Sequence, residues 1–426
     1  MERFVVQGGR PIAGTMTPAG NKNEALPCFA AALLTDEPVT LENVPDIADV
    51  RTMAALLEAL GAEIDRVGDH AYRIGRLGEG SPALDLAQRI RGSFLLAGPL
   101  LIRRGEVRLP SPGGDPIGRR RLDTHLLAFR TLGATIRTGK ERYLMEASLP
   151  LRGTEVFLDE ASVMGTENAV MAAVGAEGTT TISNAASEPH VQGLCRMLSA
   201  MGAEIRGVGT NRLEIEGGGT LSGTTHRLSP DHVEVGSYVG LAAATGGELR
   251  IEDAGVENLA MVRLGFARLG VECEFEGDDL VVPGEQTLAI VDDEGGAVPT
   301  LDDAPWPGFP ADLVSIMVVV ATQAHGTILI HEKMFESRLF FVDRLKRMGA
   351  RIILCDPHRA IVNGPTPLTG ARISSPDIRA GMALLIAALA ARGESVIQNV
   401  DQIDRGYEAI DERLRALGAR IERVGP

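Results

Sequence analysis

A chain of 426 residues, 44% hydrophobic and 23% charged, has the composition of a globular protein with a large core and room for several domains, which excludes a disordered one. A net charge of −15 repels nucleic acid and anionic membranes, 4% aromatic residues are too few for base-stacking platforms, and no apolar run approaches the ~20 residues of a membrane span.

In chain order, residues 3–7 read as a strand with no local partner. One pattern then recurs six times. A small-residue apolar helix leads through a turn into a strand, at 39–42, 106–109, 179–183, 248–252, 327–331 and 395–399. A second helix follows each strand and ends at a glycine, in turn Gly61, Gly133, Gly202, Gly270, Gly349 and Gly418, spaced by roughly 70 residues. Glycine suits a helix C-cap because only it takes the left-handed conformation cheaply. Short strands come next, such as Ala134-Thr135-Ile136 and Ala350-Arg351-Ile352, so each unit reads as β-α-β-α-β-β.

The sixth unit stops at Val424, short of its last strand. Arg3-Phe-Val-Val-Gln-Gly, running to Gly14, matches Arg212-Leu-Glu-Ile-Glu-Gly, running to Gly223, and Arg359-Ala-Ile-Val-Asn-Gly, running to Gly370. The N-terminal strand is therefore expected to complete the last unit. Two lobes of three units follow: residues 22–229 with a loop at 110–121, and residues 1–21 with 230–426. The crossovers are expected near Gly20–Asn23 and Leu228–Asp231, and clefts between lobes favour ligands.

Structural positions agree between copies, so the places where the units disagree point to function. At the starts of the apolar helices Asp231, Asp312 and Asp377 suit N-caps. Lys22, Arg91 and Arg379 do not, because a cation opposes the helix dipole unless an anion sits beside it. The Gly/Pro-rich stretch 110–121 carries Asp115 and three arginines and reads as a lid. Arg338 and Arg405 stand at equivalent points of units five and six. Converging arginines form an anion cage suited to carboxylate or phosphate; the plainer alternative is a solvated helix start.

Several motifs are missing. Gly139-Lys140 is followed by Glu, so there is no Walker A loop, and no GxGxxG opens a helix. The histidines show no metal spacing, and His125 reads as a hydrogen-bonded residue of a helix start. Cys28, Cys195, Cys273 and Cys355 form no CxxC and each reads as a buried small apolar side chain. The Met-Glu-Arg-Phe start lacks signal-peptide order, so a cytoplasmic location is expected.

These residues together resemble the enolpyruvyl transferase family over essentially the whole chain, and within it the branch acting on UDP-N-acetylglucosamine. The markers are Gly20-Asn-Lys-Asn-Glu-Ala-Leu-Pro27, Pro112-Gly-Gly-Asp-Pro-Ile-Gly-Arg119, Asn184-Ala-Ala-Ser-Glu-Pro189, Phe309-Pro-Ala-Asp312, Phe335-Glu-Ser-Arg338, Asp377-Ile-Arg379 and Ile403-Asp-Arg-Gly-Tyr407. The resemblance implies an α/β fold, the two-lobed inside-out barrel with three βαβαββ units per lobe. It implies transfer of the enolpyruvyl group of phosphoenolpyruvate to the sugar 3′-hydroxyl, through a tetrahedral ketal, at the entry to peptidoglycan precursor synthesis. No cofactor, metal, nucleic acid or membrane is implied.

By position, Lys22, Arg120 and Arg405 resemble the phosphate cage, Arg338 and Arg379 the carboxylate partners, and Asn23 and Asp377 inner hydrogen-bonding groups. Asp312 resembles the base at the sugar hydroxyl. Arg91, Arg120, Arg121, Leu122, Asp123, Thr124, Ser162 and Val163 resemble nucleotide-sugar contacts, and Met334 an apolar sugar contact. Most of the family carries at the lid tip a cysteine that serves as general acid and is the target of fosfomycin. Here the residue is Asp115, and a carboxylic acid in a dry site can deliver the same proton. Arg121 and Glu160 stand where proline and lysine are common, which bears on nucleotide contacts. The alternatives are the same transfer to shikimate 3-phosphate or to another nucleotide sugar, or a six-repeat binding protein without catalysis.

Overall fold

The computed structural model describes residues 2–139 and 142–425, so Lys140 lies outside the described residues. The chain divides into two compact units, one of Met1–Ala19, Asp115–Arg119 and Pro230–Pro426, the other of Gly20–Gly114 and Arg120–Ser229. Each unit holds three sheets and its own hydrophobic core.

In the second of these units, helix α1 (Lys22–Ala31) packs on the turn Arg91–Leu96 and on the helix Pro189–Ala200, and α2 (Ala97–Arg104) packs on α3 (Val163–Val174). In the first, α4 (His232–Thr245), α5 (Val314–Ala321) and α6 (Ile378–Ala390) all touch one another. Every residue of α5 is buried, as is every residue of α4 but Thr245 and of α6 but Ala390. Helices apolar all round belong inside, so here helices form the centre and sheets the exterior. Close approach needs small residues: a Cβ on Gly240 would lie 2.3 Å from Ile316 Cγ2.

Among the described residues five sheets have four strands and one has three, and the repeats are visible in them. All six repeat glycines have positive φ, from 76° at Gly270 to 109° at Gly202, so each helix does end on a left-handed residue that turns the chain back into a strand. The typical sheet runs Thr300–Asp302, Gly326–His331, Arg359–Gly364, Arg351–Asp356, its first pair parallel and the rest antiparallel. The N-terminal strand Arg3–Gln7 lies between Glu394–Gln398 and Arg420–Val424, antiparallel to both. Its alternation buries Phe4 and Val6.

Two findings differ from the simple repeat. The first strands of units one and four are exchanged: Gly14–Met16, which leads into α1, pairs with Leu249–Ile251, while Thr225–Arg227, which leads into α4, pairs with Val39–Glu42. The three-stranded sheet of Glu106–Pro110, Arg142–Glu146 and Thr135–Gly139 has no such first strand, and the preceding stretch holds the short helix Leu84–Ala87 instead.

The division also differs in detail from lobes of 22–229 and 1–21 with 230–426. Gly20 and Asn21 side with α1, because the Asn21 side chain caps that helix and its N–H donates to Ser229 O at 2.8 Å. Asp115–Arg119, the middle of the 110–121 loop, side with the first unit. There Ser337 N donates to Ile117 O at 3.0 Å and Arg119 N to Glu336 Oε1 at 2.8 Å. No helix among the described residues is long and apolar enough to cross a membrane.

Candidate active site

Lys22, Arg91, Val163, Asp312, Asp377 and Arg379 stand at or next to the starts of helical segments, and Asp115, Arg120, Arg338 and Arg405 in the loops and turns that follow strands. In the unit of Gly20–Gly114 and Arg120–Ser229, Asn21 Oδ1 caps α1 by accepting from Asn23 N at 2.8 Å and Glu24 N at 3.2 Å. Lys22, the first helical residue, is buried, and its Nζ pairs with Asp49 Oδ2 at 2.7 Å. Asp49 is the anion that makes a cation tolerable there, and nothing in the local pattern marks it.

A second group gathers in the same unit around the return of the 110–121 loop. Arg91 opens the turn Arg91–Leu96, and its Nη2 donates to the carbonyls of Arg120 and Arg121 at 2.8 and 2.9 Å. Burial, with the charge of Arg120, pushes Arg91 down to about 10. Arg121 pairs with Asp123 at 3.1 Å and with Asp159 at 2.8 Å, and Thr124 Oγ1 donates to the other Asp159 oxygen at 2.7 Å. Ser162 caps α3 through Gly165 N, and Val163 is that helix's first residue. Leu122 is buried beside them. The basic groups, hydroxyls and helix N-terminus in this group suit a polar, anionic ligand. Asp159, which ties Arg121 to Thr124, was missed; only its place just before a helix start hinted at it.

His125 belongs to the core. Asn168 Oδ1 accepts from Gly98 N and its Nδ2 donates to Phe94 O and to His125 Nδ1, which fixes the Asn168 orientation and leaves the imidazole proton on Nε2. Burial, and then the charge of Arg91, push His125 down to about 3, so it stays neutral.

In the other unit the helix starts of α5 and α6 face the turn Arg338–Phe341. Asp312 does not cap a helix: it lies inside the turn Ala311–Leu313, after Pro310, and bridges two guanidinium groups instead. Arg338 Nη2 donates to Asp312 Oδ1 at 3.0 Å, and Arg379 Nε and Nη2 both lie 3.2 Å from Asp312 Oδ2. Both arginines are nearly inaccessible. Burial works against their charge, yet both are held above their ordinary value, Arg338 by Asp312, Glu332 and Asp377 and Arg379 by Tyr407, Asp312 and Asp231. Arg338 Nη1 and Arg379 Nη1 are buried and make no hydrogen bond. Two charged donors without acceptors are costly at rest and suit an incoming anion.

Asp377 does cap α6, accepting from Arg379 N at 3.0 Å and Ala380 N at 2.9 Å. Burial raises its pKa; Ala380 N–H and Arg338 oppose that rise, and the charge of Asp115 adds to it. Asp115 in turn accepts from Arg405 Nη1 at 2.5 Å, and the same nitrogen donates to Gln402 Oε1 at 2.9 Å. Contacts in this unit thus make two groups, Asp312 with Arg338 and Arg379, and Asp115 with Arg405, and the charges of Arg338 and Asp115 both act on Asp377. Met334, partly exposed, precedes Phe335, whose ring lies 4.9 Å below the Arg338 guanidinium.

Glu332 was not anticipated. It is fully buried, 3.5 Å from Arg338 Nε, and accepts from Phe335 N at 3.0 Å. Burial first, and Asp303 beside it, push its carboxyl up to about 9 against the pull of Arg338. A carboxyl whose pKa is raised on folding binds its proton more tightly in the native state. Its contribution to stability is therefore full below the unfolded value of 4.5 and is lost as pH rises through about 9. Thermal melts should show wild type losing stability across that window and Glu332→Gln losing less; equal losses would mean that Glu332 holds no proton there.

Comparison with known proteins bears on this arrangement. A family model described as EPSP synthase (3-phosphoshikimate 1-carboxyvinyltransferase) matches residues 6–414. A UDP-N-acetylglucosamine 1-carboxyvinyltransferase of Bradyrhizobium diazoefficiens is 58% identical over 99% of this chain and 98% of its own. One of Treponema denticola is 54% identical over 99% of both. Among solved structures, the enolpyruvyl transferase NikO from Streptomyces tendae superposes with a TM-score of 0.87 at 26% identity, covering 100% of this chain and 99% of that one. EPSP synthase from Acinetobacter baumannii superposes with a TM-score of 0.75 at 20% identity, covering all of both chains, which speaks for the fold alone.

Proposed function

Since the chain belongs to the enolpyruvyl transferases, in the family of UDP-N-acetylglucosamine 1-carboxyvinyltransferases, we propose that it transfers the enolpyruvyl group of phosphoenolpyruvate to the 3′-hydroxyl of UDP-N-acetylglucosamine and releases phosphate. The reaction is cytoplasmic in this reading and opens peptidoglycan precursor synthesis. The observation that carries it is the carboxylate of Asp312 set between two buried guanidinium groups that each keep an unbonded nitrogen.

In the addition step Asp115 gives a proton to the vinyl C3, the sugar 3′-oxygen bonds to C2, and Asp312 takes the hydroxyl proton. The product is a tetrahedral ketal that still carries phosphate. In the elimination step C3 loses a proton, the double bond re-forms and the C2–O bond to phosphate breaks. Arg338 and Arg379 hold the substrate carboxylate by charge-assisted bonds. Lys22, Arg120 and Arg405 stabilise the departing phosphate, and Asn23 and Asp377 supply inner hydrogen bonds. Arg91, Arg121, Leu122, Asp123, Thr124, Ser162 and Val163 take the nucleotide end of the acceptor, and Met334 packs on its sugar.

Phosphate release from phosphoenolpyruvate tests the reading. It should require UDP-N-acetylglucosamine; release with shikimate 3-phosphate and none with the nucleotide sugar would overturn it.

A further inference from the structure

Helix α1 carries two ligand-type side chains outside the sets described above. Glu24 and Cys28 stand four residues apart and so share one face of the helix. His226 comes from the exchanged strand Thr225–Arg227. One ligand atom of each, a carboxylate oxygen of Glu24, Cys28 Sγ and a ring nitrogen of His226, lie within 4.8 Å of one another. Glu24 and Cys28 are completely buried, and the His226 side chain keeps 12% of its exposure, enough for an entry path.

Two details shape the cluster. Ser229 N donates to Glu24 Oε2 at 3.1 Å, which orients the carboxylate and turns Oε1 toward His226 Nε2 at 2.9 Å. Gly193 lines the carboxylate where any Cβ would lie 2.2 Å from Glu24 Oε1.

We propose that Glu24, Cys28 and His226 form a binding site for a divalent cation of the zinc class. One oxygen, one thiolate and one imidazole are a donor set such a borderline ion favours, and three protein ligands leave a fourth tetrahedral position for water. Zinc bonds of 2.0–2.1 Å to nitrogen and oxygen separate those atoms by about 3.3 Å, a few tenths more than observed. On binding, the Cys28 S–H bond breaks, its proton leaves to solvent and the sulfur–metal bond forms. The other acidic cluster, Glu2, Asp401 and Asp404, offers only oxygen and is engaged by Arg423, which bonds Glu2 and Asp404.

Cobalt(II) titrated into the full-length protein tests the proposal, because only a thiolate ligand gives a near-ultraviolet sulfur-to-cobalt charge-transfer band. One equivalent should produce that band together with tetrahedral visible absorption, and zinc should displace it at the same stoichiometry. Cys28→Ser should abolish the band, His226→Gln should weaken binding 10-fold or more, and Cys355→Ala should change neither. Zinc should also raise the melting temperature of wild type and not of His226→Gln, a comparison that holds even if Cys28→Ser folds poorly. No band in wild type, or a band that survives Cys28→Ser or disappears in Cys355→Ala, would leave the cluster as a buried His–Glu hydrogen bond packed against a thiol.

Discussion

Asp115→Ala should lose most turnover, about 10²–10⁴-fold, the span associated with a positioned general acid. Asp115→Cys should keep activity, because a thiol can deliver the same proton. The two variants should also part over fosfomycin. Inactivation requires a sulfur nucleophile to open the epoxide, and a carboxylate is a far poorer one. Burial holds the thiols of Cys28, Cys195 and Cys273 protonated, and Cys355, which is exposed rather than buried as the sequence suggests, stands on the strand Arg351–Asp356 and not on the loop. Wild type should therefore resist the drug, and Asp115→Cys should acquire time-dependent inhibition with one adduct on the new thiol. A stoichiometric adduct on wild type by mass spectrometry would refute the resistance, and full activity in Asp115→Ala would reduce residues 115–119 to a cover.

Arg405→Ala should cost about 2–5 kcal/mol of transition-state stabilisation, a fall of roughly 30-fold or more in kcat/KM for phosphoenolpyruvate. The side chain reaches Asp115 and Gln402 from one nitrogen, so its loss should remove the proposed phosphate contact and also release the segment that carries Asp115. The double variant Asp115→Ala, Arg405→Ala should then be less damaged than the product of the single effects. Arg405→Lys should recover little, since a point charge cannot reproduce the planar fork. Unchanged kcat/KM in Arg405→Ala would remove the residue from the site.

The features legible in the sequence were those that one local stretch of chain must satisfy. A helix that ends in the left-handed region writes a glycine, and six copies write it at Gly61, Gly133, Gly202, Gly270, Gly349 and Gly418. Arg379 was visible as a cation at a helix start where other copies carry none, and Arg338 and Arg405 as arginines at equivalent points of units five and six. Their partners were not visible. Asp49, Asp159, Glu332 and Gln402 are ordinary polar residues on helices and loops, and only the fold brings them to Lys22, Arg121, Arg338 and Arg405. Asp312 was read as a cap because Asp favours caps; Pro310 sets the start of its turn and two distant arginines claim the carboxylate. The strand exchange was equally hidden, since nothing in the period of Thr225–Arg227 says that its neighbour is Val39–Glu42.

The pairing of Arg3–Gln7 with Glu394–Gln398 and Arg420–Val424 has a consequence for how the protein is made. The ribosome delivers this strand long before either of its two neighbours. At roughly 5–20 residues per second, the strand waits on the order of 20–80 s for a partner. Throughout that interval Phe4 and Val6, which end fully covered, sit on an open backbone edge able to pair with the wrong chain. By contrast, the strands Val39–Glu42 and Thr225–Arg227 have both emerged long before Glu394 is added. The cell therefore handles a nascent chain that can close the pair of Val39–Glu42 and Thr225–Arg227 early while the edge of Arg3–Gln7 stays adhesive until Glu394–Gln398 and Arg420–Val424 are made, and chaperone demand should fall on that edge.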